Sequence, residues 1–318
     1  GTILHGAEWD FSIPSFPFLL ADNGYHIGYT YKVWSPGTPV DGPYGGDSTE
    51  YEKAGRNFNR FSQYVSEAEN QEKAKDELLN EVKENFLSFL EDRKEGQPFC
   101  YWFGPTNTHR SWIKGSGKEL WGLDPDKLKG KLPDFLPDVP EIREDFNDYL
   151  GEVLAWDAGV GAIMEVLAES GEMENTVIII SGDHGIPGFP RAKTNLYYFG
   201  TEVALIVKWP SEFKGNRVVE DYINLMDLAP TFLELAGVDV PAEMDGESLL
   251  PLLESNKEGV INENNNYVLT GRERHVSTAR EGNLPYPQRA IRKNGFVYIR
   301  NFKPERQPIG TVETGLRD

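Results

Sequence analysis

Hydrophobic positions follow two patterns along the chain, short continuous runs and longer stripes with helical spacing. The short runs are rich in β-branched and aromatic residues, which is typical of buried strands. Strands are predicted at residues 26–32, 98–103, 176–180, 203–210 and 267–270. Helices are predicted from the stripes at residues 14–20, 66–93, 148–171 and 222–237. This alternation favours an α/β fold, an α/β/α sandwich with a mostly parallel central sheet.

Two further patterns concern single elements. The helix predicted at residues 148–171 carries its apolar stripe through Leu150, Leu154 and Val160. Near the end of the chain, Asn294-Gly295 separates two strand-like runs, which predicts a hairpin near residues 288–301 with a type I′ turn.

The candidate chemistry follows the strand that begins at Thr176. This β-branched run stops in Ser-Gly, and Asp183 and His184 come directly after it. Open α/β sheets place their chemistry where strands end, and a carboxylate beside an imidazole supplies half of a metal site. Lys193 follows ten residues after Asp183, and a cation beside a metal suggests an anionic substrate.

Composition and charge narrow the class of protein. With 318 residues the chain forms one large α/β domain or a domain with an appendage. The net charge of -19 argues against nucleic acid and anionic membranes as partners, because both need a basic face. An anionic substrate would therefore have to be captured by a local cluster of cations. No apolar run of about 18 residues predicts a membrane span, and no signal peptide opens the chain.

The single cysteine, Cys100, excludes an intrachain disulfide. It lies among aromatic residues in a predicted strand, so we expect it to be a packing residue and not a nucleophile.

The residues around Asp183 resemble a known family. Strand, Ser-Gly-Asp-His-Gly-Ile-Pro, Lys193, Asn-Leu-Tyr and the next apolar strand are similar to the sulfatases, and within them to the heparan N-sulfatase (sulfamidase) branch. The resemblance implies that Asp183 and His184 bind calcium and that Lys193 contacts the sulfate. Because His184 supplies a nitrogen ligand, a divalent metal other than calcium remains an open alternative.

The resemblance extends to earlier and later segments. A helix, a turn and a strand near the start are similar to the family segment that ends in Gly-Lys-x-His, which implies that Lys32 contacts sulfate; Trp34 stands where the His is usual. His109 is placed like the sulfate-binding His of the family. On the substrate side we expect Trp34, Arg110, Arg274 and His275. Trp112 and Trp121 either stack on sugar rings or fill the core.

The nucleophile of the family is not found in these residues. Sulfatases oxidise a Cys or Ser in Cys/Ser-x-Pro-x-Arg to formylglycine; Ser12-Ile-Pro-Ser-Phe comes nearest, but Phe16 replaces the Arg. The resemblance therefore implies an alkaline-phosphatase-like (sulfatase) fold that is incomplete at both ends, with formylglycine in a missing segment. Residues 1–262 would be part of the catalytic domain, and residues 263–318 its end and the start of a C-terminal subdomain. The resemblance to the sulfatases also suggests an exported protein, either periplasmic, secreted or lysosomal.

Three functions remain open. The first is a metal-assisted sulfatase that hydrolyses sulfate esters or sulfamates of a glycosaminoglycan, with N-sulfoglucosamine favoured. The second is a phosphodiester or phosphonate hydrolase of the same superfamily, because phosphate presents similar tetrahedral oxygens. The third is a sulfated-glycan-binding protein without catalysis.

Overall fold

The computed structural model describes residues 10, 13–33, 50–274, 280–306 and 308. Within these ranges the strands are β1 His26–Tyr31, β2 Phe99–Gly104, β3 Ile178–Ser181, β4 Leu205–Lys208, β5 Tyr267–Arg272, β6 Gln288–Lys293 and β7 Phe296–Asn301. The α-helices are α1 Phe16–Asp22, α2 Phe61–Ser66, α3 Gln71–Glu91, α4 Ser116–Trp121, α5 Pro140–Glu169, α6 Tyr198–Thr201, α7 Leu228–Leu235 and α8 Leu250–Glu254. Strands and helices thus alternate as predicted, and the fold is α/β.

The direction of strand pairing differs in part from the prediction. β1 and β2 are parallel, with α3 between them in the chain, but β3 and β4 are antiparallel. A parallel pair needs a crossover of a dozen or more residues, usually a helix, and α3 lies in the crossover from β1 to β2. The connection from β3 to β4 contains the four-residue helix α6 and loop. The described strands therefore include both parallel and antiparallel pairs within the predicted α/β fold.

The predicted hairpin is confirmed. β5, β6 and β7 form an antiparallel sheet, and Asn294 and Gly295 join β6 to β7 with φ angles of 52° and 76°. Positive φ at both central residues is the requirement of a type I′ turn.

Helices α3 and α5 pack against β1 and β2 through aromatic side chains. The helix predicted at residues 66–93 begins later, as α3 at Gln71, because the side chain of Asn70 caps it by accepting a hydrogen bond from the Lys73 backbone. The fully buried residues of this layer include Phe58, Phe61, Val65, Leu78, Val82, Phe86 and Phe89. Burial raises the pKa of the Cys100 thiol to about 12, so it is a packing residue at neutral pH.

A smaller cluster lies under the loop that follows β3. Its buried members are Leu136, Ile186, Phe189 and Ala192. The ring of Trp112 packs against Tyr149 at 5.5 Å, and Trp121 stacks on Phe61 at 5.8 Å. Both tryptophans are half-buried and pack at the edge of the core. No helix in the described ranges combines the length and the apolar character that crossing a membrane requires.

Candidate active site

The parallel strands β1 and β2 end side by side, and each leads into a candidate residue. Lys32 directly follows β1, and its backbone N–H donates to the carbonyl of Gly104, the last residue of β2, at 2.9 Å. A Cβ at Gly104 would lie 2.0 Å from the Lys32 carbonyl oxygen, so a glycine is required there. The loop after Gly104 carries His109, and the strand ends thus bring Lys32 and this loop to one edge.

The loop after β3 folds back on itself and contributes three candidates. The backbone N–H of Gly185 donates to the Gly200 carbonyl at 3.0 Å, and that of Lys193 donates to the Ile186 carbonyl at 3.1 Å. These bonds place Lys193 near the start of its own loop. Its side chain is buried, with 8% of the residue surface exposed.

His109 and Lys193 meet at the centre of the cluster. Nζ of Lys193 lies 2.9 Å from Nε2 of His109, and Nδ1 of His109 lies 2.9 Å from the Arg110 carbonyl oxygen. Because an ammonium has only donors and a carbonyl only accepts, Nε2 accepts and Nδ1 carries the hydrogen. Burial lowers the pKa of His109, and the ammonium groups of Lys193 and Lys32 lower it further, while the hydrogen bond to the Arg110 carbonyl acts in the opposite direction. His109 is therefore uncharged at neutral pH.

Asp183 lies between a lysine and a histidine. Its Oδ2 is 3.8 Å from Nζ of Lys32 and 3.4 Å from Nε2 of His184. Nδ1 of His184 lies 2.8 Å from the Gly185 carbonyl, so in the neutral ring Nδ1 carries the hydrogen. In that tautomer Nε2 and the carboxylate are both acceptors, 3.4 Å apart, and either a proton on Nε2 or a bound cation would satisfy the contact.

The donor set fits part of a metal site. Asp183 supplies a carboxylate oxygen, its side chain is 71% exposed, and His184 supplies a nitrogen. Among the residues that the structure describes, no third His, Cys, Asp or Glu side chain completes a group with them. Calcium takes about six to eight oxygen ligands. Asp183 and His184 therefore supply two ligands, and the others would have to come from elsewhere.

Arg110, predicted on the substrate side, pairs with a carboxylate of helix α5. Its guanidinium pairs with both carboxylate oxygens of Asp145, at 2.8 and 2.6 Å, and its Nε donates to the Pro187 carbonyl at 3.2 Å. The same guanidinium lies over the ring of Trp112, 4.2 Å from its centroid. Arg110 thereby connects the His109 loop, helix α5 and the loop after β3.

A second connection to α5 lies two residues before His109. The buried amide of Asn107 donates to the Glu152 backbone carbonyl at 2.7 Å and to its Oε2 at 3.1 Å. Glu152 is also buried, and burial raises the pKa of its carboxyl group. Sequence reasoning missed Asn107, Asp145 and Glu152. A signal existed, since acidic residues at positions 145, 148 and 152 lie on one face of a helix.

The remaining predicted site residues are Trp34, Arg274 and His275. Trp34 and His275 lie outside the described residues, as does Ser12. Arg274 is described, and its Nη1 donates to the Asn283 carbonyl at 2.7 Å, which ties it to the turn before β6.

Comparisons with known proteins agree on one family. The family model described as Sulfatase matches residues 10–238. Human N-sulphoglucosamine sulphohydrolase is 28% identical over 309 residues, which cover 91% of this chain and 57% of that protein. A protein of Formosa agariphila named Ulvan-active sulfatase is 37% identical over 242 residues, 73% of this chain and 42% of that protein. The chain thus spans about half the length of these curated relatives.

A solved structure shows the same fold. It was determined in complex with its substrate, D-glucosamine-2-N,6-O-disulfate, and matches with a TM-score of 0.61 at 17% identity. The match covers 94% of this chain and 77% of that one. At this identity the likeness establishes the architecture alone, and it confirms the predicted alkaline-phosphatase-like class.

Proposed function

Because this chain belongs to the sulfatase family, we propose that it serves the hydrolysis of sulfate esters or sulfamates on a sulfated glycan, with N-sulfoglucosamine as the favoured substrate. The observation that carries the proposal is the convergence of Lys32, His109 and Lys193 with the Asp183-His184 pair at one strand-end edge. In a protein with a net charge of -19, such a cluster is a local site for an anion.

Each cationic or donor group has a role in binding sulfate. The ammonium groups of Lys32 and Lys193 neutralise charge on the sulfate oxygens, and their hydrogens donate to them. The neutral ring of His109 accepts from Lys193 at Nε2, which orients the ammonium without adding a charge. Binding and charge neutralisation are therefore the contributions of these three residues.

Asp183 and His184 are proposed to hold a divalent cation, for which calcium is the first choice. A bound cation would draw electron density from the sulfate oxygens and favour attack at sulfur. The proposal is supported by the proximity of the two potential ligands, since Oδ2 of Asp183 lies 3.4 Å from Nε2 of His184.

The nucleophile completes the proposal. These 318 residues contain no Cys/Ser-x-Pro-x-Arg motif, so a formylglycine nucleophile would have to be supplied from outside them. Residues 1–262 are proposed to belong to the catalytic domain, and residues 263–318 to its end and the start of a C-terminal subdomain.

The choice of N-sulfoglucosamine rests on the likeness to human N-sulphoglucosamine sulphohydrolase, which extends over 91% of this chain. Trp34, Arg110, Arg274 and His275 are proposed to lie on the sugar side. For Arg110 this role requires release from Asp145.

Sulfate release, measured by ion chromatography, tests the proposal. N-sulfated and 6-O-sulfated glucosamine are incubated with this chain and with a longer chain that carries a Cys/Ser-x-Pro-x-Arg segment, each with Asp183→Ala as control. We expect release from N-sulfoglucosamine by the longer chain and none by its Asp183→Ala variant. Turnover of a phosphodiester instead would support the rival hydrolase, and tight glycan binding without turnover would support a binding protein.

A further inference from the structure

The residue before Lys32 has an unusual backbone conformation. Tyr31, the last residue of β1, has a φ of 71°, in the left-handed region that glycine favours. Side chains with a bulky ring rarely adopt this region, because Cβ crowds the backbone. Tyr31 is also buried, with 3% of its surface exposed. Such a conformation persists only where the surroundings impose it.

Two glutamates impose the conformation of Tyr31. The phenol hydroxyl donates to Oε1 of Glu81 at 2.9 Å, and the backbone N–H donates to Oε1 of Glu52 at 3.0 Å. The ring stacks on Phe58, with centroids 6.1 Å apart. Tyr31 is therefore held at both its side chain and its backbone.

Glu81 is itself fixed. It lies on α3, is buried, and also accepts from the backbone N–H groups of Asn57 and Phe58, each at 3.0 Å. An acceptor that is positioned by two backbone donors cannot follow a moving phenol. The helix α3 thus sets the position of the Tyr31 ring.

The turn at Tyr31 decides where Lys32 points. In a continuing strand, successive side chains alternate between the two faces of the sheet. The left-handed residue ends the strand, and the Lys32 side chain leaves the sheet to bring Nζ within 3.8 Å of Asp183. The Lys32 backbone remains bonded to Gly104, so the change of direction is confined to this one junction.

We infer that Tyr31 is a positioning residue for the site: its left-handed conformation, held by Glu81 and Glu52, directs the Lys32 ammonium to the Asp183 side of the cluster. The inference rests on the proposed role of Lys32 in binding sulfate. Tyr31 is buried, and in this inference it acts through Lys32.

The test compares two tyrosine-to-phenylalanine variants. Tyr31→Phe removes the hydroxyl bond to Glu81 and keeps the ring. Tyr64→Phe is the matched control, because it removes a hydroxyl bond to Glu77 at 3.2 Å on an exposed part of the chain. Two quantities are measured by NMR after 13C-methylation of the lysines: the affinity for inorganic sulfate, and the Lys32 resonance, assigned with Lys32→Arg.

For Tyr31→Phe we expect sulfate affinity to fall about fivefold, as loss of a hydrogen bond to a carboxylate allows, and the Lys32 resonance to shift. Tyr64→Phe should change neither. If Tyr31→Phe only lowers stability and does not displace Lys32, the sulfate affinity and the Lys32 resonance will both be unchanged. That result would overturn the inference. Glu52→Ala, which removes the acceptor of the Tyr31 N–H, gives an independent second variant with the same expectation.

The same experiment separates the inference from the proposed function. If Lys32→Ala leaves sulfate affinity unchanged, the proposed sulfate contact fails, and a shift of the Lys32 resonance in Tyr31→Phe still supports positioning. If Lys32→Ala weakens sulfate binding and Tyr31→Phe matches the wild type in both readouts, the function stands and the inference fails.

Discussion

The ammonium of Lys193 lies 2.9 Å from Nε2 of His109, although 84 residues separate the two in the chain. One follows β2 and the other lies on the loop after β3. Their contact joins two loops whose neighbours, Lys32 and Asp183, form a second contact at 3.8 Å. Four residues from three segments thus take part in these two contacts.

Stability should decrease as the pH falls through the titration range of His109. Its folded-state pKa is lowered by burial and by Lys193, so below the ordinary value of about 6.5 the unfolded chain binds more protons. The contribution of uncharged His109 to the free energy of unfolding is fully present above pH 6.5. It is lost as the pH falls from there through the lowered pKa. His109→Gln should reduce this loss, measured by urea unfolding about one pH unit above and below 6.5.

His26 supplies the internal control for that experiment. Burial lowers its pKa too, so His109→Gln should remove only part of the acid-side loss, and adding His26→Gln should remove more. Identical acid-side losses in the wild type and His109→Gln would contradict the assignment of a neutral His109.

Asp183 should control divalent-metal binding. Asp183→Ala removes one of the two facing acceptors, and we expect calcium affinity, measured by isothermal titration calorimetry, to fall by more than about tenfold. Asp76→Ala, an exposed position on α3, removes the same charge away from the site. An equal loss of calcium affinity in both variants would show that calcium binding depends on the net charge of the protein and not on a specific site.

Arg110 should contribute more to stability than a typical surface cation. Arg110→Met breaks a bidentate pair with Asp145, and we expect the free energy of unfolding to fall by about 2 kcal/mol. Lys114→Met breaks the nearby ion pair with Glu144, in which the lysine is 82% exposed, and should cost about 0.5 kcal/mol or less. Equal costs, measured by urea unfolding, would refute the structural role of Arg110.

Two glycine-to-alanine substitutions should change the stability of the protein in opposite directions. At Gly104 a new Cβ would press on the Lys32 carbonyl, and overpacking of this kind costs about 1–3 kcal/mol. At Gly161, on α5, a Cβ meets open space and should stabilise the helix by about 0.5–1 kcal/mol. Thermal unfolding of the two variants measures both changes in stability. If Gly104→Ala left stability unchanged, the ends of β1 and β2 would have to be able to separate.

The candidate residues that lie on loops directly after strands could be predicted from the sequence. Strand ends are marked by runs such as the one before Asp183, and side chains at neighbouring strand ends meet at one edge. The partner of Arg110 could not be predicted, because Asp145 lies 35 residues away on another element. A charged loop residue gives no local sign of whether it faces solvent or a carboxylate.

Helix α5 shows why the predicted apolar stripe was wrong in part. The stripe placed Leu154 inside, but Leu154 is 36% exposed, and Gly151, Glu152 and Ala155 are buried instead. The cause is the close approach of α4: a Cβ on Gly151 would lie 2.9 Å from the Gly117 Cα. Small residues permit that approach, and Glu152 is buried because Asn107 and Ser62 donate to it. Hydrophobicity alone cannot reveal such a face.

The two contacts that α5 makes with the His109 loop also limit which insertions and deletions the chain can tolerate. Asp145 holds Arg110 and Glu152 holds Asn107, and seven residues, about two helical turns, keep both on one face. One residue inserted between them would rotate the second contact by about 100° relative to the first, so only one could form. Length changes in this stretch of α5 should therefore be tolerated less than substitutions there.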